Sequence, residues 1–122
     1  MFSYETYKLV HLLGLFSIFT ALGARTLSAI NGGTKASDKG RGLTGMLHGL
    51  GLVLALVGGF GMLARLGMTS GLPGWTYAKI GLWVLVAGLL ALPYRVPSLA
   101  KPLLLLPLLG MLGGWIAVNK PF

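Results

Sequence analysis

The chain has no cysteine and only two carboxylates, Glu5 and Asp38. Without thiols it has no disulfide, no thiolate metal site and no cysteine nucleophile. Two isolated acids do not form a paired-acid glycosidase site or an oxygen-rich Mg²⁺ shell, and neither lies near a histidine to complete a nucleophilic triad. A proton-coupled transporter is also disfavoured, because such a protein needs an ionisable acid at mid-membrane and both acids fall outside the apolar runs.

Charge of either sign is scarce, since only 10% of residues are charged while 55% are hydrophobic. A soluble domain has about a quarter of its residues charged, so this composition is typical of a surface that faces lipid. The net charge of +8 comes from ten Lys and Arg residues, which stand singly between the apolar runs. Basic residues in that pattern favour anionic headgroups at the ends of membrane helices and not nucleic acid.

Four apolar runs predict helices near residues 4–30, 42–67, 75–95 and 101–119. Each approaches the ~20 residues that a helix needs to cross a hydrocarbon core of ~30 Å. The connectors are short and rich in turn-forming residues. The sequence therefore predicts one domain over residues 1–122, an all-α integral membrane four-helix bundle with up-down topology, in which Pro107 bends or shortens the last helix.

The basic residues also predict an orientation. One side of the predicted bundle holds six of them, Arg25, Lys35, Lys39, Arg41, Arg95 and Lys101. The other side holds four, Lys8, Arg65, Lys79 and Lys120. Because the more basic side of a membrane protein faces the cytoplasm, both termini are expected outside it.

Glycine is abundant, with 20 residues, most of them inside the apolar runs. Helices in lipid associate through close backbone approach over small residues, so small residues spaced three or four apart indicate packing faces. The candidates are Gly14, Ala21, Gly51, Ala55, Gly59, Gly110 and Gly114. Such faces serve a tight bundle, a second copy of the chain, or a larger membrane complex.

Polar groups at membrane depth are costly, which makes His11, His48 and Lys79 candidates for function. His11 and Lys79 are expected near one membrane face, whereas His48 enters from the other face, roughly 15–20 Å from His11 along the membrane normal. One porphyrin iron therefore does not take both histidines. The structural alternative is a histidine that bonds a neighbouring helix and a lysine that extends to the interface. Arg25, about 21 Å further along the first helix than His11, suits an anion such as a propionate or a lipid phosphate, or acts as an ordinary interfacial anchor.

Two short motifs resemble small bacterial membrane families. The first helix opens with KLVHLLG over residues 8–14, and the third opens with Gly74 and Trp75 followed by Lys79, Leu82 and Trp83. This pattern is similar to that of the HemJ-type protoporphyrinogen oxidases, the copper-resistance D proteins and the SirB-type proteins. The resemblance implies a bacterial inner-membrane location and haem b held by His11 and Lys79 as axial or near-axial ligands of the iron. Phe16 to Gly23 replace features of the HemJ-type first helix, so an enzymatic activity stays open.

Two functions are consistent with these observations. In the first, the chain binds haem b or a related porphyrin near its outer face through His11 and Lys79, with Trp75 and Arg25 as further candidate contacts. In the second, it is a non-catalytic accessory or assembly subunit that packs against a larger membrane complex through its glycine-rich faces. A spectrum of the purified protein distinguishes them, because only the first predicts a bound chromophore.

Overall fold

The structure, a computed structural model, describes residues 2–122, and every regular element in that range is helical. The chain forms five α-helices: α1 (Tyr4–Ile30), α2 (Arg41–Arg65), α3 (Gly74–Leu89), α4 (Leu92–Arg95) and α5 (Leu106–Asn119). Two short 3₁₀ segments, Pro97–Leu99 and Pro102–Leu105, lie between α4 and α5. The all-helical class predicted from the sequence is confirmed.

Three segments within residues 2–122 are long and apolar enough to cross a membrane: Tyr4–Ile30, Arg41–Arg65 and Pro97–Asn119. The third predicted span, 75–95, is shorter than expected. α3 has 16 residues and therefore extends about 24 Å, less than a hydrocarbon core of ~30 Å. By length and composition, the chain has the helices of a membrane protein.

Helix ends follow local chemistry. The hydroxyl of Ser3 accepts a hydrogen bond from the backbone N–H of Thr6 at 3.1 Å, which caps the start of α1. Gly32 and Gly67 follow the ends of α1 and α2 with φ of +84° and +71°. These left-handed conformations suit glycine, and they let backbone N–H groups after each helix bond to its last free carbonyls.

α1 and α2 form a closely packed antiparallel hairpin. A Cβ atom placed on Gly14 would lie 2.4 Å from the Ala55 nitrogen, and one on Gly51 would lie 2.7 Å from the Gly14 oxygen. One on Gly58 would lie 2.5 Å from the His11 nitrogen. All of these distances are shorter than any van der Waals contact, so the two backbones meet at this separation because glycine occupies these positions.

The buried core lies where this hairpin meets α3 and the start of α5. It comprises five residues, Ile18, Leu22, Ala55, Val86 and Leu106. Ala21 is also fully buried in α1. Many large apolar side chains point outward, including Leu9, Phe16, Met111 and Val118. That distribution suits a protein whose outer surface contacts lipid.

The third predicted helix, 75–95, is wrong in its second half, because α3 ends at Leu89 and the separate turn α4 begins at Leu92. Pro93 explains the break. It has no N–H to donate to the Leu89 carbonyl, and its ring conflicts with a helix continuing through that position. In the same break, the carbonyl of Leu90 accepts a hydrogen bond from Arg25 Nη1 at 3.4 Å.

The fourth predicted helix, 101–119, is also divided. Residues Pro102–Leu105 form a 3₁₀ turn, and Pro107 stands in the first turn of α5. At that position a backbone N–H has no partner within the helix, so proline is accommodated there. α5 is therefore shorter than predicted, and Pro107 marks its start.

α5 belongs to the most exposed of the three long apolar segments, since 11% of the most apolar part of Pro97–Asn119 is buried, against 33% in Tyr4–Ile30 and 28% in Arg41–Arg65. A Cβ on Gly110 would lie 3.4 Å from the Phe19 ring, and one on Gly114 would meet no atom within 4 Å. A Cβ added to Gly59, in α2, would lie 3.5 Å from His11 Nδ1. The small residues singled out in the sequence thus have different surroundings, from backbone contact at Gly14 to open space at Gly114.

Candidate functional site

The His11 imidazole lies against the backbone of α2. Its Nδ1 is 2.6 Å from the carbonyl oxygen of Ala55. This approach depends on Gly58, where a Cβ would lie 2.5 Å from the His11 nitrogen. A Cβ on Gly59 would lie 3.5 Å from Nδ1, which is ordinary van der Waals contact, so the ring lies directly beside this part of α2.

The hydrogen bond fixes the tautomer of His11. A carbonyl oxygen only accepts, so Nδ1 carries the proton and Nε2 keeps its lone pair. Within residues 2–122 the imidazole makes this one hydrogen bond, and Nε2 has no partner there. Histidines that bind metals are commonly oriented in this way, with one ring nitrogen donating to a backbone carbonyl and the other free to coordinate.

Lys79 and Trp75 lie at the same end of the molecule as His11. Lys79 is close enough for an electrostatic interaction with His11 and with Lys120. The Lys120 Nζ lies 5.4 Å from the centroid of the Trp75 ring, which is cation–π geometry. The structure thus places three of the four predicted site residues at one end of the molecule. There Gly74, at the start of α3, lies against Phe122.

Arg25, the fourth predicted site residue, lies elsewhere. It is about 21 Å along α1 from His11 at 1.5 Å per residue. Its Nη2 donates to the Arg41 carbonyl and to Thr44 Oγ1, each at 2.9 Å. A group bound at His11 is therefore out of reach of Arg25, which ties α1 to the start of α2.

His48 has a structural role. Its side chain is 3% exposed, and its Nε2 lies 3.0 Å from the Val86 carbonyl oxygen. The Trp83 Nε1–H donates to the Leu52 carbonyl at 3.0 Å. These two interhelical hydrogen bonds run in opposite directions between α2 and α3. They fix the register of the two helices and leave His48 Nε2 engaged.

Two contacts were missed by the reasoning from sequence. Ala55 was predicted as a packing residue, but its backbone carbonyl also orients His11, and no side-chain pattern identifies that oxygen. Lys120 lies over Trp75 from the far end of the chain. The charge count placed Lys120 on the same side as Lys79, which was the one signal available for their proximity.

Residues 2–122 contain no cluster of three or more His, Asp or Glu side chains positioned for a metal ion. The donors at the His11 end are one imidazole and one amine. Such a pair is too small a set to hold a free zinc or magnesium ion.

The opposite end carries a second polar cluster around Tyr94 and Asp38. The Tyr94 hydroxyl donates to Asp38 Oδ2 and lies 2.8 Å from Ser28 Oγ. The hydrogen bond from Tyr94 holds the pKa of the Asp38 carboxyl below its ordinary value. Asp38 also accepts from the Gly40 N–H at 2.8 Å, so it closes the α1–α2 loop onto α4.

Comparisons of the chain with protein-family models, with curated proteins and with solved structures return no match.

Proposed function

We propose that this chain is a small multi-pass protein of the bacterial inner membrane that binds haem b at the end where His11 and Lys79 lie. The observation that carries the proposal is the His11 imidazole, whose Nδ1 is held by the Ala55 carbonyl while Nε2 keeps a free lone pair. The resemblance of residues 8–14 and 74–79 to the HemJ-type proteins supports the same pair of ligands.

The donor set fits a haem better than another cofactor. His11 Nε2 and the Lys79 amine would hold the haem through its iron, and Trp75 would be a further contact of the bound group. When bound, the haem supplies one-electron redox chemistry, and the residues of this chain hold it, orient it and exclude water from it. Arg25 has no part in this site, because it lies at the other end of α1.

The proposal includes four membrane crossings in an up-down bundle, with α3 and α4 together forming the third. Contacts between Gly74 and Phe122, and between Tyr7 and Gly61, support the clustering of four helix ends on one side. The six-to-four distribution of basic residues favours both termini outside the cytoplasm. A reporter that is active only in the cytoplasm is expected to be inactive when it is fused to the C-terminus. Strong activity of this fusion would show that the orientation is the opposite one.

A second candidate is the accessory or assembly subunit. It is favoured by the exposed apolar face of α5, where Gly114 leaves room for another helix and Leu108, Met111 and Trp115 are more than half exposed. The face suits either a second copy of the chain or a larger membrane complex. In that function the hydrogen bond of His11 is structural, and His11→Ala lowers stability slightly without changing any colour.

The test is a reduced-minus-oxidised optical spectrum of the protein purified in detergent. We expect a Soret band in the wild type that is lost in His11→Ala and in Lys79→Ala. His48→Gln is the matched control, because it removes the other histidine and should retain the band. A wild-type protein that stays colourless after haem is supplied would contradict the proposal and favour the accessory subunit.

A further inference from the structure

A cleft of about 310 Å³ opens at the end of the molecule opposite His11, where α3 gives way to α4. That volume is at the lower limit of pockets that bind small ligands. Three of its lining residues are the cations Arg25, Lys35 and Arg95, and Tyr94 lies among them. Nothing in the proposed haem site extends to this cleft.

We propose that this cleft binds the phosphate group of an anionic phospholipid. The charge that lines it is net positive. Asp38, the nearest carboxylate, interacts electrostatically with Arg25 and accepts hydrogen bonds from Tyr94 and the Gly40 N–H, but within residues 2–122 it makes no hydrogen bond with Lys35 or Arg95. These two cations therefore remain available to a bound anion.

The three cations differ in rigidity. Arg25 is fixed by hydrogen bonds to Leu90, Arg41 and Thr44, and its guanidinium carbon lies 5.7 Å from the Tyr94 ring centroid. Its Nε is buried and has no hydrogen-bond partner in the described part of the chain. Lys35 and Arg95 are exposed, and their side chains make no hydrogen bond there. A fixed guanidinium beside two exposed, unbonded cations is an arrangement that suits a bound phosphate.

The remaining wall of the cleft favours a lipid over a soluble phosphate. It is formed by Ala87, Gly88, Leu90 and Ala91, all apolar or lacking a side chain, at the last turn of α3 and just after it. A ligand there has its phosphate among the cations and its glycerol and first acyl carbons against α3. Basic pockets between membrane helices on the cytoplasmic side bind anionic headgroups in this way. The basic-residue count predicts that this end faces the cytoplasm.

The experiment measures the retention of phosphatidylglycerol by the purified protein in native mass spectrometry, with phosphatidylcholine and inorganic phosphate as comparison ligands. The double variant Lys35→Gln/Arg95→Gln is expected to bind phosphatidylglycerol about 30-fold more weakly, the loss that corresponds to two basic groups at a membrane surface. Both side chains are exposed and unbonded, so the fold should persist. The control Lys39→Gln/Lys101→Gln removes the same charge on the same side but outside the cleft.

A second pair of variants tests the cleft without changing charge. Gly88→Leu should fill it, since a Cβ at Gly88 meets no atom within 4 Å, whereas Gly81→Leu adds the same side chain elsewhere on α3. We expect retention to fall in Gly88→Leu alone. The proposal would be overturned if the cleft and control variants lost phosphatidylglycerol retention equally. It would also be overturned if the protein retained inorganic phosphate as well as phosphatidylglycerol. Haem binding at His11 is read separately by its spectrum, so either proposal can fail without the other.

Discussion

Gly14 is the position where a single methyl group should most disturb the α1–α2 hairpin. In Gly14→Ala the new Cβ would lie 2.4 Å from the Ala55 nitrogen, 2.6 Å from the Gly51 oxygen and 2.9 Å from the Ala55 Cα. All three atoms belong to backbone, so no side chain can move aside. The two helices must separate by about 1 Å to restore van der Waals distance.

The expected magnitude follows from two opposing effects. Overpacking of this kind costs about 1–3 kcal/mol, and separation of the helices also weakens the bond from His11 to the Ala55 carbonyl, a contact worth about 0.6 kcal/mol in a membrane. Alanine recovers about 1 kcal/mol through its better helix propensity. We therefore expect Gly14→Ala to lower the free energy of unfolding by about 2 kcal/mol.

The matched control is Gly49→Ala on α2, where the added Cβ meets no atom within 4 Å. That variant should be neutral or up to about 1 kcal/mol more stable, so the two alanines should differ by about 2–3 kcal/mol. The assay is unfolding in mixed micelles of a mild detergent and dodecyl sulfate, followed by tryptophan fluorescence. If the two variants unfold at the same midpoint, the close backbone contact at Gly14 does not stabilise the fold and the reasoning is refuted.

Three further predictions concern polar groups. Trp83→Phe removes the hydrogen bond to the Leu52 carbonyl and should lower the free energy of unfolding by about 1 kcal/mol, measured in the same micelles. Thr26→Val should be neutral or stabilising by about 1 kcal/mol, because the buried Thr26 hydroxyl has no hydrogen-bond partner within residues 2–122; a clear loss of stability would contradict this. Because its pKa is lowered in the folded state, the charged Asp38 carboxylate stabilises the fold at pH values above its ordinary pKa of 3.8. This stabilisation is lost as the pH falls through the lowered pKa. Tyr94→Phe should therefore flatten the decline of the unfolding midpoint as pH falls below 3.8, and an unchanged decline would show that the Tyr94 bond does not set that pKa.

Much of the helical framework follows from the sequence. The long apolar runs and the scarcity of charge predict membrane helices, and α1 has the predicted bounds of 4–30 because Ser3 and Gly32 supply local start and stop signals. The prolines also act locally. The break before α4 follows from the effect of Pro93 on the preceding turn, although the predicted third helix, 75–95, continued past Pro93. Pro107 likewise marks the start of α5.

The candidate site was predictable only in part. His11, Lys79 and Trp75 were chosen for their membrane depth and for the resemblance, and the structure brings them to one end. Arg25 was grouped with them as a further contact, but its distance along α1 separates it from the others. Depth along a single helix is a local property, so it can be counted from the sequence. The residue that each side chain contacts on another helix cannot be counted in this way.

What the sequence determined by itself is the set of elements: apolar helices, their polar ends and the exclusion of thiol and paired-acid chemistry. Only the tertiary structure decided that His11 bonds to Ala55, that His48 bonds to Val86, and that Arg25 lines a separate cleft. Those contacts depend on the register between helices. For α1 and α2 it is set where their glycine backbones touch, and for α2 and α3 it is fixed by the hydrogen bonds of His48 and Trp83. Helix periodicity specifies which face a residue occupies, but a one-turn slip between two helices keeps every face and changes every partner.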